Sequence, residues 1–276
     1  MSNQPLITFN DGHTIPQIGL GVWQTPNEDT AEVVKTALQA GYRHIDTAAG
    51  YQNEQGVGEG IKASGLKRED IFVTTKVRNE DQGFDTAIEA VHKSLKLLDT
   101  PYLDLCLIHW PSPWRDKYLE TWKALVQLKG DGKIRSIGVS NFEAEHLEKI
   151  IGETGETPVL NQIELHPRFQ QKALRKVNAR LDIATESWSP LGQGQLLENQ
   201  VITAIAKKHG RSAAQIIIRW HLDSGLIVIP KSVTPSRIVA NFDVLDFTLD
   251  AEDMSKIEAL DEAGGRIGPD PMTATF

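Results

Sequence analysis

Charged and polar residues follow directly on several short apolar segments of this sequence. Asp46 ends the segment RHID, Lys76 lies near the end of IFVTTKV, and His109 follows LDLCLI. Tyr51 comes shortly after Asp46, in the stretch that leaves that segment. Because burying such groups without partners is costly, we expect them to lie together on one functional surface.

These side chains are suited to donating a proton. A free phenol has a pKa of about 10 and is a weak acid at neutral pH. The ammonium of Lys76 favours the phenolate and is expected to lower the pKa of Tyr51, while the carboxylate of Asp46 holds the lysine in place. His109 would orient a carbonyl oxygen beside the phenol. Considered singly, the ion pair, the tyrosine and the histidine are each also compatible with a structural role.

A second group of residues is suited to binding a flat, charged ligand. Ser140, Asn141 and Gln162 offer donors and acceptors that match a carboxamide. Trp188 offers a flat face for a stacked ring, although a single tryptophan is also common in a core. The segment 231–234 (KSVT) and Arg237 combine cations, hydroxyls and a predicted helix N-terminus, which favours an anion site. A solvated helix surface is the alternative for Arg237.

Short apolar segments alternate with amphipathic stretches, which is the pattern of parallel strands connected by helices. The predicted strands are 18–23, 43–47, 71–77, 103–109, 134–140, 159–165, 182–188 and 226–230. Gly41 stands where a helix would end, and Ser212 with Gln215 matches a capping box. Together these units predict an α/β fold, a (β/α)8 TIM barrel formed by a single domain over residues 1–276, with its chemistry at the carboxyl ends of the strands.

A doubly wound dinucleotide-binding sheet is the alternative α/β fold. It requires the motif GxGxxG between a strand and a helix. Neither Gly19 with Gly21 nor Gly56 with Gly58 is followed by the third glycine of that motif. The barrel is therefore favoured.

Composition restricts the classes of partner. The 276 residues include 29 basic and 37 acidic ones, a formal net charge of −8, which disfavours nucleic acid and anionic membrane surfaces. Cys106 is the only cysteine, which excludes an intrachain disulfide and a thiolate metal cluster, and HExxH is absent, so we expect no metal. The start MSNQPLITFN lacks the features of a signal peptide. We expect a cytoplasmic protein that acts on a small molecule.

Seven segments together resemble the aldo-keto reductases. They are GYRHIDTAAGYQNEQGVG (41–58), IFVTTKV (71–77), YLDLCLIHWP (102–111), RSIGVSNF (135–142), NQIELHP (161–167), ESWSPLGQG (186–194) and VIPKSVTPSRIVANF (228–242). The resemblance runs over nearly the whole chain. It implies a (β/α)8 barrel with an N-terminal β-hairpin that closes the bottom, and the segments 6–9, 11–12 and 14–15 fit that hairpin.

The resemblance also implies a role for each candidate residue of an NADPH-dependent carbonyl reductase. The catalytic tetrad would be Tyr51, Asp46, Lys76 and His109. The residues implied to bind the cofactor are Ser140, Asn141, Gln162, Trp188, Ser189, Leu191, Lys231, Ser232, Val233, Thr234, Arg237 and Asn241. A lysine and an arginine at the 2′-phosphate favour NADPH over NADH by charge pairing.

Within this family the sequence is most similar to the bacterial 2,5-diketo-D-gluconate reductases. GVWQTPNED, HWPSP, ESWSPLGQG and the short end GRIGPDPMTATF carry the narrower match. It implies that a monomer reduces 2,5-diketo-D-gluconate to 2-keto-L-gulonate, with methylglyoxal, other aldehydes or β-keto esters as alternative substrates. The short end implies an open pocket, lined by Trp23, Arg78, Trp110 and Trp114. Arg78 replaces a tryptophan that is frequent in relatives, and it would either contact an acidic substrate or face solvent.

Two other functions are compatible with parts of this pattern. A Schiff-base aldolase also uses a lysine at a strand end, but Asp46 would keep Lys76 protonated and make it a poor nucleophile. A non-catalytic NADP-binding module would retain the fold, and the complete tetrad disfavours it.

Overall fold

Residues 4–276, which the computed structural model describes, form a barrel of eight parallel strands. Two short strands, β1 (Leu6–Thr8) and β2 (Thr14–Pro16), precede it. The barrel strands are β3 (Leu20–Gly21), β4 (His44–Asp46), β5 (Phe72–Val77), β6 (Leu103–Ile108), β7 (Ile134–Ser140), β8 (Leu160–Glu164), β9 (Ala184–Trp188) and β10 (Ile227–Val228). Their order in the sheet is their order in the chain, and each neighbouring pair is parallel.

Contacts around the first and last strands close this sheet into a barrel. The N–H of Gly19 donates to the backbone oxygen of Val228 at 2.9 Å. A parallel bridge connects Gly21 with Lys231. The predicted (β/α)8 barrel is therefore confirmed, and the carboxyl ends of its strands share one rim.

The N-terminal hairpin covers the opposite rim, where the strands begin. β1 and β2 pair antiparallel. Phe9 is buried in one apolar cluster with Leu105 of β6. The Asn10 side chain donates to the backbone oxygens of Pro158 and Asp182, just before β8 and β9, at 3.0 Å each. The hairpin predicted from the sequence is confirmed.

Ten α-helices connect and surround the strands within the described residues. They are α1 (Asn27–Ala40), α2 (Glu54–Ser64), α3 (Phe84–Leu97), α4 (Tyr118–Gly130), α5 (Ala144–Thr154), α6 (Lys172–Arg180), α7 (Gln200–His209), α8 (Ala213–Asp223), α9 (Pro235–Phe242) and α10 (Ala251–Glu258). Gly41 ends α1 with a φ of 115°, which side chains rarely adopt, and Ser212 and Gln215 form the predicted capping box of α8. None of the helices described has the length and apolar character that crossing a bilayer requires.

The barrel strands are buried on both faces, as their nearly continuous apolar sequence predicts. Every residue of β6 is buried, including Cys106. Burial raises the pKa of the Cys106 thiol, which keeps it protonated and unreactive. In such surroundings a charged side chain requires a partner of opposite charge or a hydrogen bond. Charged side chains at the rim where the strands end are therefore expected to lie in contact with one another.

Candidate active site

A cavity of about 470 Å³ opens at the carboxyl ends of the barrel strands. This volume is in the range of small-molecule binding sites. Most of the predicted site residues meet there, because the strands on which they lie end at the same rim. The predicted residues that line it are Trp23, Asp46, Tyr51, His109, Trp110, Ser140, Asn141, Gln162, Trp188, Ser189 and Lys231.

Asp46 and Lys76 form a buried ion pair at the base of this site. They lie on adjacent strands, β4 and β5. The Lys76 Nζ lies 2.6 Å from the Asp46 Oδ1 and donates a second hydrogen bond to the backbone oxygen of Thr47 at 2.8 Å. Burial is the largest influence and acts to lower the pKa of Lys76, but the charge and hydrogen bond of Asp46, together with the charges of Tyr51 and Glu186, outweigh it, and the net shift is upward. Lys76 is thus held as an ammonium, which disfavours the Schiff-base aldolase.

Tyr51 is placed beside this ammonium by a 3₁₀ turn, Ala49–Tyr51, that follows β4. The Lys76 Nζ lies 5.1 Å from the centroid of the Tyr51 ring. Burial raises the pKa of Tyr51, Lys76 acts to lower it and Asp46 to raise it, and the net shift is upward. The predicted net lowering of this pKa is wrong, because burial of a phenolate costs more than the ammonium offsets. The phenol therefore keeps its proton at neutral pH, which is the form that a proton donor requires.

His109 faces Tyr51 from the end of β6. The two rings pack edge to face, with 5.5 Å between their centroids. Burial, and then the positive charge of Lys76, lower the pKa of His109 to about 3. The imidazole is therefore neutral at neutral pH, and it offers one N–H donor next to the phenol.

Ser140, Asn141 and Trp188 form a second hydrogen-bonded group at the cavity. The Asn141 Nδ2 donates to the Ser140 Oγ at 3.0 Å, and its Oδ1 accepts from the Trp188 Nε1 at 2.8 Å. Asn141 has a φ of 62°, which asparagine tolerates better than most residues. The indole is thus fixed at its polar edge while it lines the cavity, as a stacking platform requires.

Gln162 connects the ion pair with a carboxyl group that the sequence analysis missed. Its Nε2 donates to the Asp46 Oδ2 at 2.8 Å and to the Glu186 Oε2 at 2.7 Å. Glu186 lies in β9 and is fully buried. Burial, and then the charge of Asp46, raise the pKa of Glu186 to about 8. The signal that could have found it is a glutamate inside a predicted buried strand.

The predicted anion site lies along the segment between β10 and α9. Lys231 lines the cavity, and Arg237 is exposed in the first turns of α9. The hydroxyl of Tyr42 donates to a backbone oxygen of α9 at 3.1 Å and ties this helix to the core. The other predicted residues of this region lie outside the cavity lining, and they are Ser232, Val233, Thr234 and Asn241. Exposed cations, hydroxyls and a helix N-terminus are the donor set that suits the phosphates of a dinucleotide.

Arg78, Trp114 and Leu191 do not line the cavity. Two guanidinium nitrogens of Arg78 donate to the carboxylate oxygens of Asp81 at 2.6 and 3.1 Å. Trp114 is 53% exposed, and Leu191 packs against the apolar core. Neither side chain is thus part of the lining of this cavity, and the roles of Arg78 and Trp114 in substrate binding stay predictions.

The C-terminal segment supplies a wall of the cavity, whereas the sequence implied an open pocket. The residues involved are Ile267, Gly268, Pro269 and Phe276. Glu164, at the end of β8, accepts hydrogen bonds from the N–H groups of Ile267 and Gly268 at 2.6 and 2.8 Å. The ring of Phe276 packs edge to face on Trp110, with 5.2 Å between centroids. Residues 267–276 therefore shape the pocket.

The chain is similar to known proteins over almost its whole length. Residues 17–262 match the aldo/keto reductase family. The chain is 58% identical over 272 residues to an aldo-keto reductase of Mycolicibacterium smegmatis, covering 99% of this chain and 98% of the relative. It is 53% identical over 273 residues to methylglyoxal reductase DkgA of Escherichia coli, covering 98% of each. The crystal structure of Gox0644 in its apo form matches with a TM-score of 0.96 at 57% identity, covering 99% of both chains, and a Gox0644 mutant has been solved in complex with NADPH.

Proposed function

This chain belongs to the aldo/keto reductase family, and we propose that it is an NADPH-dependent reductase of small aldehydes and ketones. The observation that carries this proposal is the position of Tyr51 and His109 on one cavity, beside the buried Lys76–Asp46 ion pair. All of these groups lie in one barrel, which supports a single catalytic domain, and that the protein acts as a monomer is part of the proposal. The cytoplasmic location stays a prediction.

The protein groups in this site are arranged to deliver a proton to a carbonyl oxygen. In the proposed reaction this oxygen lies between the Tyr51 hydroxyl and the His109 ring, and Tyr51 donates the proton as the oxygen gains charge. The Lys76 ammonium stabilises the phenolate that remains, and Asp46 keeps Lys76 charged and in place. Neutral His109 polarises the carbonyl group through a hydrogen bond. When bound, NADPH supplies the hydride that the carbonyl carbon receives.

The second group of residues fits this cofactor by the chemistry of its donors and acceptors. Ser140, Asn141 and Gln162 would contact the nicotinamide carboxamide, and Trp188 would stack on the ring. Lys231 and Arg237 would pair with phosphate groups. The remaining contacts, to the phosphates and the adenosine, are proposed for Ser189, Leu191, Ser232, Val233, Thr234 and Asn241.

The proposed substrate is 2,5-diketo-D-gluconate, which would be reduced to 2-keto-L-gulonate. The cavity of about 470 Å³ accommodates a six-carbon acid and combines the polar groups of Tyr51 and His109 with apolar surface from Trp23 and Trp110. Methylglyoxal is the second candidate, because a relative 53% identical is named a methylglyoxal reductase.

Initial rates of NADPH oxidation test both the proposed carbonyl reductase activity and the proposed substrate. We expect turnover with carbonyl compounds, and the highest kcat/KM with 2,5-diketo-D-gluconate in a panel that also contains methylglyoxal, a β-keto ester and a simple aldehyde. A higher kcat/KM for methylglyoxal would replace the proposed substrate and keep the reductase. Absence of NADPH oxidation with every member of the panel would overturn the reductase itself.

A further inference from the structure

Glu186 is a fully buried carboxyl group that the proposed reaction does not use. It lies in β9 and pairs in register with Gln162 of β8. Side chains paired in this way point to the same face of a sheet. A carboxyl group in the interior of a barrel is costly to bury, so its contacts indicate what it does there.

The hydrogen bond of Glu186 is made to one side-chain amide. The Gln162 Nε2 donates to the Glu186 Oε2 at 2.7 Å and to the Asp46 Oδ2 at 2.8 Å. A glutamine amide carries two N–H groups, so both are committed to carboxyl oxygens. The polar atom that Gln162 retains for other contacts is its carbonyl oxygen, Oε1. Since Gln162 lines the cavity, it presents an acceptor there and not a donor.

The same contacts disfavour the reverse orientation of this amide. Rotation by half a turn would place the Gln162 Oε1 against oxygens of both Asp46 and Glu186. Asp46 carries a negative charge because it pairs with Lys76 at 2.6 Å, so the oxygens would repel each other. Without Glu186, the amide would keep only its hydrogen bond to Asp46, and the whole group could tilt about that bond so that its Oε1 would no longer be fixed toward the cavity.

Among residues 4–276, the other neighbours of the Glu186 carboxyl group form no hydrogen bond with it. Its Oε1 lies 3.6 Å from the His44 Nε2, and it has no hydrogen-bond partner within the described part of the chain. Glu186 is not among the residues that line the cavity. It therefore acts on a ligand through Gln162 and not by touching it.

We propose that Glu186 is a positioning residue, which fixes the amide of Gln162 so that its carbonyl oxygen accepts a hydrogen bond from the carboxamide NH₂ of the nicotinamide ring. This inference rests on the proposed use of NADPH. It assigns Gln162 the part of an acceptor and gives the buried glutamate a role in recognising the cofactor's amide group.

Binding of two oxidised cofactors separates this role from a general structural one. NADP⁺ carries the carboxamide NH₂, whereas its 3-acetylpyridine analogue has a methyl group in that place. Isothermal titration calorimetry of both ligands on wild type and Glu186→Met measures the difference. We expect the variant to bind NADP⁺ about tenfold more weakly, the effect of one lost hydrogen bond, while the analogue keeps its affinity.

Two further variants complete the test. Glu186→Gln retains an acceptor for Gln162 and should restore tight NADP⁺ binding, whereas Glu54→Gln, at a buried carboxyl that accepts from Thr75 at 2.6 Å, should leave both affinities unchanged. If Glu186→Met does not fold, Glu186→Val takes its place. Equal weakening of both ligands, or no weakening of NADP⁺, would overturn the positioning role. Failure of the wild type to bind NADP⁺ would instead overturn the proposed cofactor.

Discussion

The two ends of the barrel carry similar chemical groups and put them to different use. At the carboxyl end, Tyr51 lies beside the Lys76–Asp46 ion pair and lines a cavity of about 470 Å³. At the amino end, Tyr102 lies in a cluster of charged residues that includes Asp104, and a larger cavity of about 610 Å³ lies nearby under the hairpin. Volume and charge alone would thus favour the amino end.

At the amino end, however, the charged groups form hydrogen bonds and ion pairs with one another and with the backbone. The Asp104 Oδ2 accepts from the N–H of Val73 at 3.0 Å and lies 2.7 Å from Arg68, and its Oδ1 lies 3.2 Å from Arg135. The guanidinium carbons of Arg68 and Arg135 lie 4.5 and 4.2 Å from the centroid of the Tyr102 ring, and Tyr102 does not line the cavity. The candidate active site is therefore distinguished by a reactive group that faces its cavity and not by the size of that cavity.

Removing one hydroxyl at each end should give the largest contrast. Tyr51→Phe removes the proposed proton donor, so we expect kcat/KM for carbonyl reduction to fall about 10³-fold, with NADPH binding retained. Tyr102→Phe is the matched control and should leave kcat/KM unchanged. Steady-state rates and fluorescence titration with NADPH measure the two effects. Full turnover by Tyr51→Phe, or an equal loss in Tyr102→Phe, would remove the distinction between the two ends.

The buried glutamate at the carboxyl end should appear in the pH dependence of stability. Between its ordinary pKa of 4.5 and about 8, Glu186 keeps its proton in the folded protein and loses it in the unfolded chain. The unfolded state then binds fewer protons, so the free energy of unfolding decreases as the pH rises, by about 1.4 kcal/mol per pH unit. Relative to Glu186→Gln, the wild type should lose roughly 2 to 3 kcal/mol between about pH 5.5 and about pH 7.5, measured by urea unfolding. Parallel pH profiles would contradict a protonated Glu186.

At the amino end, loss of a charged group should affect stability and not catalysis. Asp104→Ala leaves the N–H of Val73 without its acceptor and removes the carboxylate partner of Arg68 and Arg135, so we expect the free energy of unfolding to fall by about 2 kcal/mol. Asp246→Ala, which removes an exposed ion pair with Arg211, should cost about 0.5 kcal/mol or less. Urea unfolding tests both variants. A drop in kcat/KM of folded Asp104→Ala would mean that the amino end contributes to the reaction.

Arg237 tests how far the ligand-binding surface extends from the carboxyl end. If this exposed cation pairs with the 2′-phosphate, Arg237→Ala should raise the Kd for NADPH about tenfold and leave the Kd for NADH unchanged. Arg180→Ala, at another exposed arginine, is the control and should alter neither constant. Equal weakening of NADPH and NADH would show that Arg237 does not distinguish them.

The smallest effect is expected at Arg78. It lies at the carboxyl end, but like the charged residues of the amino end it forms an ion pair with a neighbouring side chain. Two of its guanidinium nitrogens donate to Asp81, and it does not line the active-site cavity. Arg78→Trp should therefore change kcat/KM for acidic and neutral carbonyl compounds by the same small factor. A loss of kcat/KM confined to acidic substrates would show that Arg78 contacts the acid group of the substrate.

Residues at strand ends could be placed from the sequence because strand geometry places them. Asp46, Lys76 and His109 follow or end apolar segments, and parallel strands in a barrel bring such positions to one rim. The same argument predicts Gln162 at the cavity. These predictions depend on periodicity and on chain order, which a single sequence displays.

Other parts of the site depend on conformations and distances that the sequence pattern does not contain. Trp114 lies in a 3₁₀ turn, Pro113–Arg115, after β6, and its side chain is largely exposed, which its position near a strand end does not predict. The contact of Glu164 with Ile267 joins residues 103 positions apart, and no local pattern reports it. Glu186 was missed because charge inside a predicted strand does not say what the side chain faces. The sign of the Tyr51 pKa shift depended on burial, which composition does not give.

The enclosed position of Cys106 makes the protein convenient for site-specific labelling. Its thiol is completely shielded and held protonated, so maleimide dyes and spin labels will not reach it in the folded state. One cysteine introduced on an exposed loop would thus be the sole attachment point for a fluorophore. Distances within the working enzyme could then be followed without first removing a native thiol.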